Sequence, residues 1–332
     1  MMIIGVEKRM SETTIKEEYT NDVFSLKQHL GLNFTKNFIK DFELENLVQK
    51  ISDLTKKSME NNNRTPVVAF CSEKGGCGKT TTSVVVAQAV ANMGFKVILI
   101  DADQAHSASE IINTRKALIS SEIAAAEQHG IPVADVLDYK YSTEPTLDAL
   151  SVSTDNFNAS FVQEIATKKD YDLIVIDTAG VRPEEAANFD IRDIQLAGKP
   201  HITASYISNA IVIPTQTSNI DLNRMIAFTQ PLMVFLGTLH AIKRNIVKTQ
   251  YRVLPNKVEK SGSGLVELDL AKEEVPFNWF NQSIRRSLKI PANTSTRHAN
   301  TIFSNKTVRQ IIVSYLNVVD EIYSDVAESL EK

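Results

Sequence analysis

The sequence is poor in cysteine and has no long apolar run, and both features narrow the class of protein. Its two cysteines, Cys71 and Cys77, lie in or beside one glycine-rich stretch, so a structural disulfide is not expected and a reducing compartment fits. No stretch of about 18 apolar residues is present to span a membrane. The N-terminus carries acids early, among them Glu7 and Glu12, and lacks the long apolar run of a secretory signal. We therefore expect a soluble cytoplasmic protein.

Strong charge of one sign is also absent, since the formal net charge of the 332 residues is −4. The net charge of the protein therefore does not indicate nucleic-acid binding, and any DNA binding must come from a local basic patch. Aromatic residues make up 7% of the chain, which does not indicate stacking on bases. A hydrophobic content of 43% predicts a sizeable core, and the length predicts one large α/β domain with an appendage.

From Pro66 onward the sequence alternates between apolar runs and helical patterns. Continuous runs of Val, Ile and Leu predict a doubly wound, mostly parallel sheet that is covered by helices on both faces. We expect the region between Ser107 and Asp170 to be mostly helical, and residues 307–330 to form a long amphipathic helix. The five predicted strands are VVAFCS, FKVILIDAD, YDLIVIDTAG, NAIVIPTQTS and TQYRVLPNKV.

Residues 1–63 differ in pattern from the rest of the chain and are predicted to form a helical N-terminal extension, with residues 64–332 as the α/β domain. In FELENLVQKISDLTKKSME the apolar residues recur at spacings of three and four, which predicts an amphipathic helix. The stretch ENNNRTP then supplies a short polar linker. Upstream, SLKQHLGLNFTKNFI fits two short helices around Gly31, either an ordinary helical hairpin or a helix-turn-helix.

A glycine-rich stretch, KGGCGKTTT at residues 74–82, follows the first predicted strand and opens a helix. A phosphate-binding loop requires this context, because its glycines let backbone N–H groups point inward at phosphate oxygens. Lys79 is expected to reach the β- and γ-phosphates, Thr80 to ligate Mg²⁺, and Thr81 to donate to the α-phosphate. The expected nucleotide-binding residues of the loop are Lys74, Gly75, Gly76, Cys77, Gly78, Lys79, Thr80 and Thr81.

Carboxylates follow two of the predicted strands, at the edge where α/β sheets bind their ligands. Asp177 follows the apolar run LIVI, and we expect it to hold Mg²⁺ together with Thr80, directly or through water. Asp101 ends the run VILI in the same way, and Asp103 comes two residues later. The alternative for Asp101 and Asp103 is a structural role in a turn or at a helix N-terminus.

A further lysine, Lys74, precedes the first glycine of the loop, where an ordinary phosphate loop needs none. The pattern KGGxGKT[TS] resembles the deviant Walker A motif of the ParA/MinD family of ATPases, in which this lysine crosses a dimer interface to the partner's ATP. The resemblance implies ATP and Mg²⁺ as cofactors, and ATP as the trigger of homodimerisation. It also implies a catalytic role for Lys74, since a cation there neutralises charge on the transferred phosphoryl oxygens. The alternative is a solvated surface lysine.

The resemblance extends from about Pro66 to about residue 325. DLIVIDTAG resembles the family's Walker B and switch segment, and IVIPTQTSNIDL resembles its fourth-strand segment. RVLPNKV resembles the stretch whose asparagine, here Asn256, recognises adenine. The resemblance implies that Asp101 positions or activates the attacking water and that Lys79 is catalytic.

Two departures from the family pattern limit what the resemblance implies. The stretch DADQAHSAS lacks the proline of the frequent D-x-D-P-Q pattern, which leaves the role of Gln104 open. The segment 182–208 is longer than usual, so no switch residue beyond Gly180 is assigned.

The last predicted helix argues against the membrane-docking branch of the family. MinD-like members end in a short basic helix, whereas anionic lipid would repel the acids of this one. Iron-protein relatives need cluster-binding cysteines away from the loop, and this sequence has none. The resemblance therefore implies a ParA-type partition ATPase with no membrane partner. The acidic residues of the helix are Asp320, Glu321, Asp325, Glu328 and Glu331.

ParA-like proteins bind DNA without sequence preference as ATP-bound dimers, through neutralisation of phosphates by lysines and arginines. The resemblance therefore implies association with the nucleoid. The favoured DNA-binding residues, all in SIRRSLKIPANTSTRH, are Arg285, Arg286, Lys289 and Arg297. A second basic group contains Lys243, Arg244 and Lys248. The alternative for each residue is a solvated face or an intramolecular ion pair.

The resulting hypothesis is a slow, partner-stimulated ATPase that segregates plasmid or chromosomal DNA with a centromere-binding, ParB-like adaptor. Residues 1–63 resemble the N-terminal arms of longer plasmid versions, which help dimerisation. Two alternatives stay open. One is a relative that positions a protein cargo, and the other is a nucleotide-gated DNA-binding repressor that acts through the N-terminal segment.

Overall fold

The computed structural model describes residues 43–73, 75–131, 147–181, 199–242, 247–259, 262–275, 277–287 and 309–331. The predicted pair of short helices around Gly31 lies outside these residues, as does the segment 182–198. Several predicted site residues also lie outside them, namely Lys74, Lys243, Arg244, Lys289 and Arg297.

The described residues contain one seven-stranded sheet in which all neighbouring strands run parallel. In chain order the strands are β1 (Val67–Phe70), β2 (Val97–Ala102), β3 (Leu147–Ser151), β4 (Leu173–Thr178), β5 (Ala210–Thr215), β6 (Gln250–Val258) and β7 (Ile284–Arg285). Across the sheet they lie in the order β3-β2-β4-β1-β5-β6-β7. The predicted doubly wound, parallel α/β fold is confirmed.

Helices cover both faces of this sheet. In chain order they are α1 (Leu44–Asn61), α2 (Lys79–Asn92), α3 (Ser107–Gln128), α4 (Ala159–Lys168), α5 (Pro200–Ile207), α6 (Asn219–Ala241), α7 (Gly262–Glu274) and α8 (Arg309–Ser329). Val68 and Phe70 of β1 pack in a core with α1, α2 and α8, whereas Val67 and Ala69 pack in a second core with α4, α5 and α6. Because the strands β1, β2, β4 and β5 are buried on both faces, each of them is a continuous, mainly apolar run in the sequence. No described helix is long and apolar enough to cross the hydrocarbon layer of a bilayer.

Two strands at the edges of the sheet were missed by the sequence analysis. The expectation of a mostly helical region between Ser107 and Asp170 is correct for α3 and α4 and wrong for β3, which pairs with β2. In β3 only Leu147 is buried, and Asp148 bonds Lys116 and Tyr171. An edge strand of this kind lacks the apolar run that marks a central strand. At the other edge, β7 is only two residues long.

Helix α1 packs directly on the α/β body. Its buried face joins the core that also contains α2 and α8. On its polar side, Lys50 Nζ donates to the Asp320 carboxylate and to Ser324 Oγ of α8, each at 2.8 Å. The stretch after α1, expected to be a polar linker, places Arg64 and Thr65 in buried positions. The helix therefore shares the core of the α/β body, and the role of the whole segment 1–63 stays a prediction.

Candidate functional site

The glycine-rich loop connects β1 to α2, and its backbone conformation requires glycine at two positions. Gly76 and Gly78 have positive φ angles of 81° and 98°. A Cβ atom on Gly78 would lie 2.2 Å from Nδ2 of Asn256, so the loop also has no room for a side chain there. Helix α2 begins at Lys79, directly after this glycine. The free N–H groups of a helix N-terminus and its positive dipole end form an anion-binding site.

Lys79 lies buried at the start of α2. Its Nζ donates to Ser72 Oγ at 3.2 Å, and Ser72 Oγ lies 2.9 Å from Cys77 Sγ. The neighbouring Cys71 is also buried, and burial raises the pKa of its thiol to about 12. A thiol with this pKa is neutral and unreactive, which fits the interpretation of Cys71 as a small apolar core residue.

Asp177 and Asp101 lie side by side at the ends of β4 and β2, because these strands pair in register there. Asp177 also aligns with Phe70, the last residue of β1 before the loop. The Asp177 side chain is fully buried, and neither carboxylate oxygen has a hydrogen-bond partner among the described residues. Burial raises the pKa of Asp177 to about 7, against the opposing effects of nearby Thr80 and Lys79. A buried, unpartnered carboxylate beside the loop is a site that a cation would stabilise.

Asp101 has the opposite environment, although it is equally buried. Its Oδ2 accepts from the backbone N–H of Ser109 at 2.9 Å and from the Ser109 hydroxyl at 3.1 Å. Its Oδ1 accepts from the Asp103 N–H at 3.2 Å. Asp103 in turn accepts from the Ala105 N–H at 3.0 Å, a contact within a local turn. The side chain of Gln104 is exposed. Asp101 is therefore a carboxylate of fixed orientation, and Asp103 has a structural contact.

Asn256 lies buried against the loop. Its Nδ2 donates to the Cys77 carbonyl at 2.9 Å and to Thr82 Oγ1 at 3.3 Å, and its Oδ1 accepts from the Lys257 N–H at 2.9 Å. The structure thus brings Asn256 to the glycine-rich loop and to the first turn of α2. The expected contact with adenine stays a prediction.

Two side chains that contact the loop were not singled out from the sequence. Gln216, which follows β5, donates through Nε2 to the Gly76 carbonyl at 3.0 Å. Lys257 Nζ donates to the same carbonyl. Gln216 stands within the quoted stretch IVIPTQTSNIDL, but nothing in the sequence marks Lys257, because its contact depends on an irregularity of β6.

Of the predicted basic residues that the structure describes, Arg285 and Arg286 lie in or directly after β7, the strand at one edge of the sheet. Arg285, in β7, is exposed, and the exposed Arg286 forms an ion pair with Glu259 at 2.5 Å. Lys248 is exposed as well. The alternative of an intramolecular ion pair therefore holds for Arg286 in this structure, whereas the side chain of Arg285 is exposed to solvent.

The protein alone offers few ligands for a metal ion. Within the described ranges, no group of three or more His, Cys, Asp or Glu is arranged to hold one. A magnesium ion that is bound with nucleotide phosphates needs only one or two protein ligands and keeps several waters. Thr80 and Asp177 fit that requirement, because the Asp177 oxygens have no other partner among the described residues.

Comparison with known proteins places the loop within a nucleotide-binding domain. A family model described as the CobQ/CobB/MinD/ParA nucleotide binding domain matches residues 68–298. The chain is 34% identical over 138 residues to an uncharacterized ATP-binding protein of Methanocaldococcus jannaschii, a match that covers 38% of this chain and 50% of the relative. It is 28% identical over 124 residues to the sporulation initiation inhibitor protein Soj of Bacillus subtilis, covering 33% and 48%. The chain spans about half the length of the curated relatives it matches.

Solved structures show the same fold at low sequence identity. The ATP complex of a McdA variant from Cyanothece superposes with a TM-score of 0.52 and 15% identity, covering 78% of this chain and 96% of that chain. Cyanothece McdA without nucleotide gives a TM-score of 0.51 at 15% identity, covering 80% and 100%. At this identity the likeness shows the fold alone.

Proposed function

This chain belongs to the CobQ/CobB/MinD/ParA family of nucleotide-binding domains, and on that premise we propose that it is a Mg²⁺- and ATP-dependent ATPase of the ParA type. It holds non-specific DNA as an ATP-bound homodimer and releases it after hydrolysis. A centromere-binding adaptor stimulates its turnover and connects it to plasmid or chromosomal DNA. The nucleoid is then its place of action.

The observation that carries the ATPase proposal is the pair of unpartnered Asp177 oxygens next to the start of α2. In this proposal Lys79 binds the phosphates, and Thr80 with Asp177 holds magnesium. Bound magnesium neutralises charge on the β- and γ-phosphate oxygens. Asp101, fixed by three donors, accepts a hydrogen bond from the attacking water and orients it. The proposal accounts for a buried carboxylate that would otherwise only destabilise the fold.

The dimer proposal depends on Lys74, which lies outside the described residues. A lysine supplied by the partner stabilises charge on the transferred phosphoryl group, as an arginine finger does. We expect Lys74→Ala to bind ATP but to remain monomeric with ATP, as measured by light scattering after size-exclusion chromatography. Lys79→Ala is the comparison, because it loses ATP binding itself. Dimerisation of Lys74→Ala at wild-type ATP concentrations would contradict this role.

Support for the DNA proposal comes from the family and from the exposed arginines at β7. Electrostatic binding to DNA phosphates requires accessible cations and weakens with salt, because counterions are released. The test is the mobility of random-sequence DNA in a gel with ATP, ADP or no nucleotide, across a salt series. Binding with ATP alone, lost steeply with salt, is the expected result.

Two other outcomes of this experiment would replace the DNA-partition proposal. No binding under any condition would assign the protein to the relatives that position a protein cargo. Sequence-specific binding that persists with ADP, and is lost when residues 1–60 are removed, would assign it to a repressor. In both cases the ATP site described above stays in place, so the ATPase proposal is tested separately by ATP titration and phosphate release.

A further inference from the structure

Helix α7 is apolar on two sides. Leu268 and Ala271 are buried, and Ala271 belongs to the core that contains α6. On the other side, Leu265, Val266 and Leu270 are exposed. Single apolar side chains scattered over a surface need no explanation, but a helix that is apolar all round is normally covered all round. Three such side chains on one side of one short helix therefore indicate an interaction surface.

The exposed side of α7 also carries two carboxylates. Asp269 and Glu273 are exposed, and their spacing of four residues places them along the same side of the helix as the exposed apolar side chains. Lys272 is half-buried, and its Nζ donates to the Phe280 carbonyl at 3.4 Å. No exposed cation lies among the side chains of α7 that the structure describes. The α7 surface is defined as Leu265, Val266, Asp269, Leu270 and Glu273.

The two carboxylates limit what can cover the α7 surface. DNA and anionic lipid carry negative charge, so Asp269 and Glu273 repel both. In a two-fold contact between two copies of the chain, the same patch meets itself. Acids would then lie opposite acids, which is unfavourable. The cover that fits is a segment with apolar side chains and cations but no acids.

Residues 23–40, VFSLKQHLGLNFTKNFIK, have this composition. The segment contains three lysines (Lys27, Lys36 and Lys40), no aspartate or glutamate, and a large apolar residue at eight of its 18 positions. Residues 288–308 also lack acids, but they are joined to described elements at both ends, to β7 and to α8. Residues 23–40 are joined at one end only, to α1, and are therefore the better candidate.

The length of the segment does not limit its reach. Helix α1 begins at Leu44, so only residues 41–43 separate it from the segment. An extended chain of 18 residues spans ~60 Å, whereas a folded chain of this length has a radius of gyration of ~20 Å. A tethered segment acts at an effective concentration in the millimolar range, so a small surface is enough to hold it.

We infer that residues 23–40 dock on the α7 surface of the same chain, with their apolar side chains over Leu265, Val266 and Leu270 and their lysines beside Asp269 and Glu273. The inference goes beyond the proposed function, because the contact requires neither nucleotide nor DNA. It assigns a binding surface to part of the N-terminal extension.

Cross-linking within the full chain tests this contact. Phe34→Cys combined with Leu270→Cys, treated with a short bismaleimide, is expected to give an intramolecular cross-link that mass spectrometry detects in the monomer band. Phe34→Cys with Val234→Cys is the control, because Val234 is also exposed but lies on α6. The native Cys71 and Cys77 are buried, so the folded wild type gives the background.

Hydrogen exchange of residues 23–40 in the full chain is a second measurement. Val266→Ser removes a valine that is 57% exposed, and we expect it to speed amide exchange of the segment by about three- to tenfold, as the loss of one apolar contact predicts. Val234→Ser is the matched control, since this valine of α6 is 71% exposed, and it leaves the exchange unchanged. Urea unfolding shows whether each variant is folded.

Charge reversal tests the electrostatic part of the contact. Asp269→Lys is expected to speed exchange of the segment by about two- to fivefold, as the loss of an exposed ion pair predicts. Glu127→Lys is the control, because Glu127 is an exposed acid of α3. Changing Lys27, Lys36 and Lys40 together to glutamate has the same effect as Asp269→Lys, and combining both changes restores part of the protection.

Three results would overturn the inference. Cross-links between copies instead of within one chain would make a second copy the source of the segment. Equal exchange of residues 23–40 in the wild type and in Val266→Ser would show that the α7 surface does not hold them. A cross-link to Leu270→Cys from Arg297→Cys, and none from Phe34→Cys, would assign the surface to residues 288–308.

Discussion

The carboxylates of Asp101 and Asp177 align across neighbouring strands. Their surroundings differ, and this difference suits them to different roles. Asp101 is bonded by three donors, whereas Asp177 has no hydrogen-bond partner among the described residues. The first is suited to orienting a water molecule, because its own direction is fixed. The second is suited to a ligand role, because a cation removes the cost of its burial. The difference arises from Ser109, which comes from the first turn of α3.

The raised pKa of Asp177 predicts how stability depends on pH without nucleotide. Its ordinary pKa is 3.8, and burial raises the pKa in the folded protein to about 7. Between these values the folded state binds more protons than the unfolded state, so the free energy of unfolding falls as pH rises from about 4 to about 7. The loss is on the order of a few kcal/mol.

The substitution Asp177→Asn tests this prediction. We expect the variant to be more stable than the wild type at pH 8 and to lose the part of the pH dependence that Asp177 contributes, as measured by urea unfolding at several pH values. It also loses the stabilisation that Mg²⁺ with ATP gives the wild type. Parallel pH profiles of the two proteins would contradict the prediction.

Glycine at position 78 offers a test of the contact between the loop and β6. Gly78 and Gly94 have similar φ angles of 98° and 92°, so alanine costs backbone strain of ~1–2 kcal/mol at either position. Only at Gly78 does the added Cβ meet another group, Asn256 Nδ2 at 2.2 Å, since nothing lies within 4 Å at Gly94. We expect Gly78→Ala to weaken ATP binding by about tenfold or more. Gly94→Ala loses stability but binds ATP normally, and an equal loss of affinity in both variants would show that strain alone is responsible.

At the scale of elements, α8 fixes the position of several others through its acids. Asp320 bonds Lys50 of α1, and Asp325 pairs with Arg252 of β6 at 2.7 Å. Glu321 accepts from the backbone N–H of Asn281, just before β7, at 3.0 Å. Three of the five acids from which the sequence analysis argued against a membrane-docking helix therefore contact the body of the protein, whereas Glu328 and Glu331 are exposed.

The ion pair of Asp325 is expected to be the stronger of two that can be compared directly. Arg252 and Asp325 are 21% and 4% exposed, whereas Lys56 and Glu60 are 75% and 62% exposed and lie 4.0 Å apart. Asp325→Ala leaves Arg252 with only its longer ion pair, to Glu321 at 3.6 Å, and lowers the free energy of unfolding by ~1–3 kcal/mol. Glu60→Ala lowers it by about 0.5 kcal/mol or less. Urea unfolding measures both values, and equal effects would contradict the burial argument.

The elements that the sequence predicts are those with a strong local signal. The strands β1, β2, β4, β5 and β6 were predicted because both faces of each are buried, whereas the edge strands β3 and β7 carry no such run. Asp101 and Asp177 were predicted because they directly follow buried apolar runs, and Lys79 because it belongs to the glycine-rich loop motif. The contacts of Gln216 and Lys257 with Gly76 join residues 140 and 181 positions apart. No local pattern predicts such contacts, because they depend on the approach of β5 and β6 to the loop.

At the scale of the whole molecule, the candidate site lies at the point where the order of the strands along the sheet reverses. The chain leaves β1 toward β2 on one side and leaves β4 toward β5 on the other, and β1 and β4 are neighbours. Ligands of open α/β sheets bind at the carboxyl ends of strands at such a point. The loop after β1 and Asp177 of β4 meet there. The basic residues of β7 lie several strands away, so nucleotide and DNA would occupy separate parts of one sheet edge.

This separation predicts that DNA contacts can be removed without loss of the ATP site. If Arg285 neutralises one DNA phosphate, Arg285→Ala lowers the slope of log affinity against log salt by ~0.9. Glu259→Gln releases Arg286 from its ion pair and is expected to strengthen DNA binding. Fluorescence anisotropy with labelled DNA across a salt series measures both effects, with ATP affinity as the control. Wild-type slopes in both variants would move the DNA-binding surface elsewhere.

The packing of α8 over α1 and α2 also has a consequence for the order of events during synthesis. Residues 309–331 come after all seven strands along the chain, yet they cover the same core as the helix that begins at Lys79. A nascent chain that has completed the sheet still presents an uncovered apolar layer. Such incomplete chains are prone to aggregation. Helix α2 and the loop before it therefore acquire this support only after all seven strands have been synthesised, and chains interrupted before that point are species that chaperones and proteases must handle.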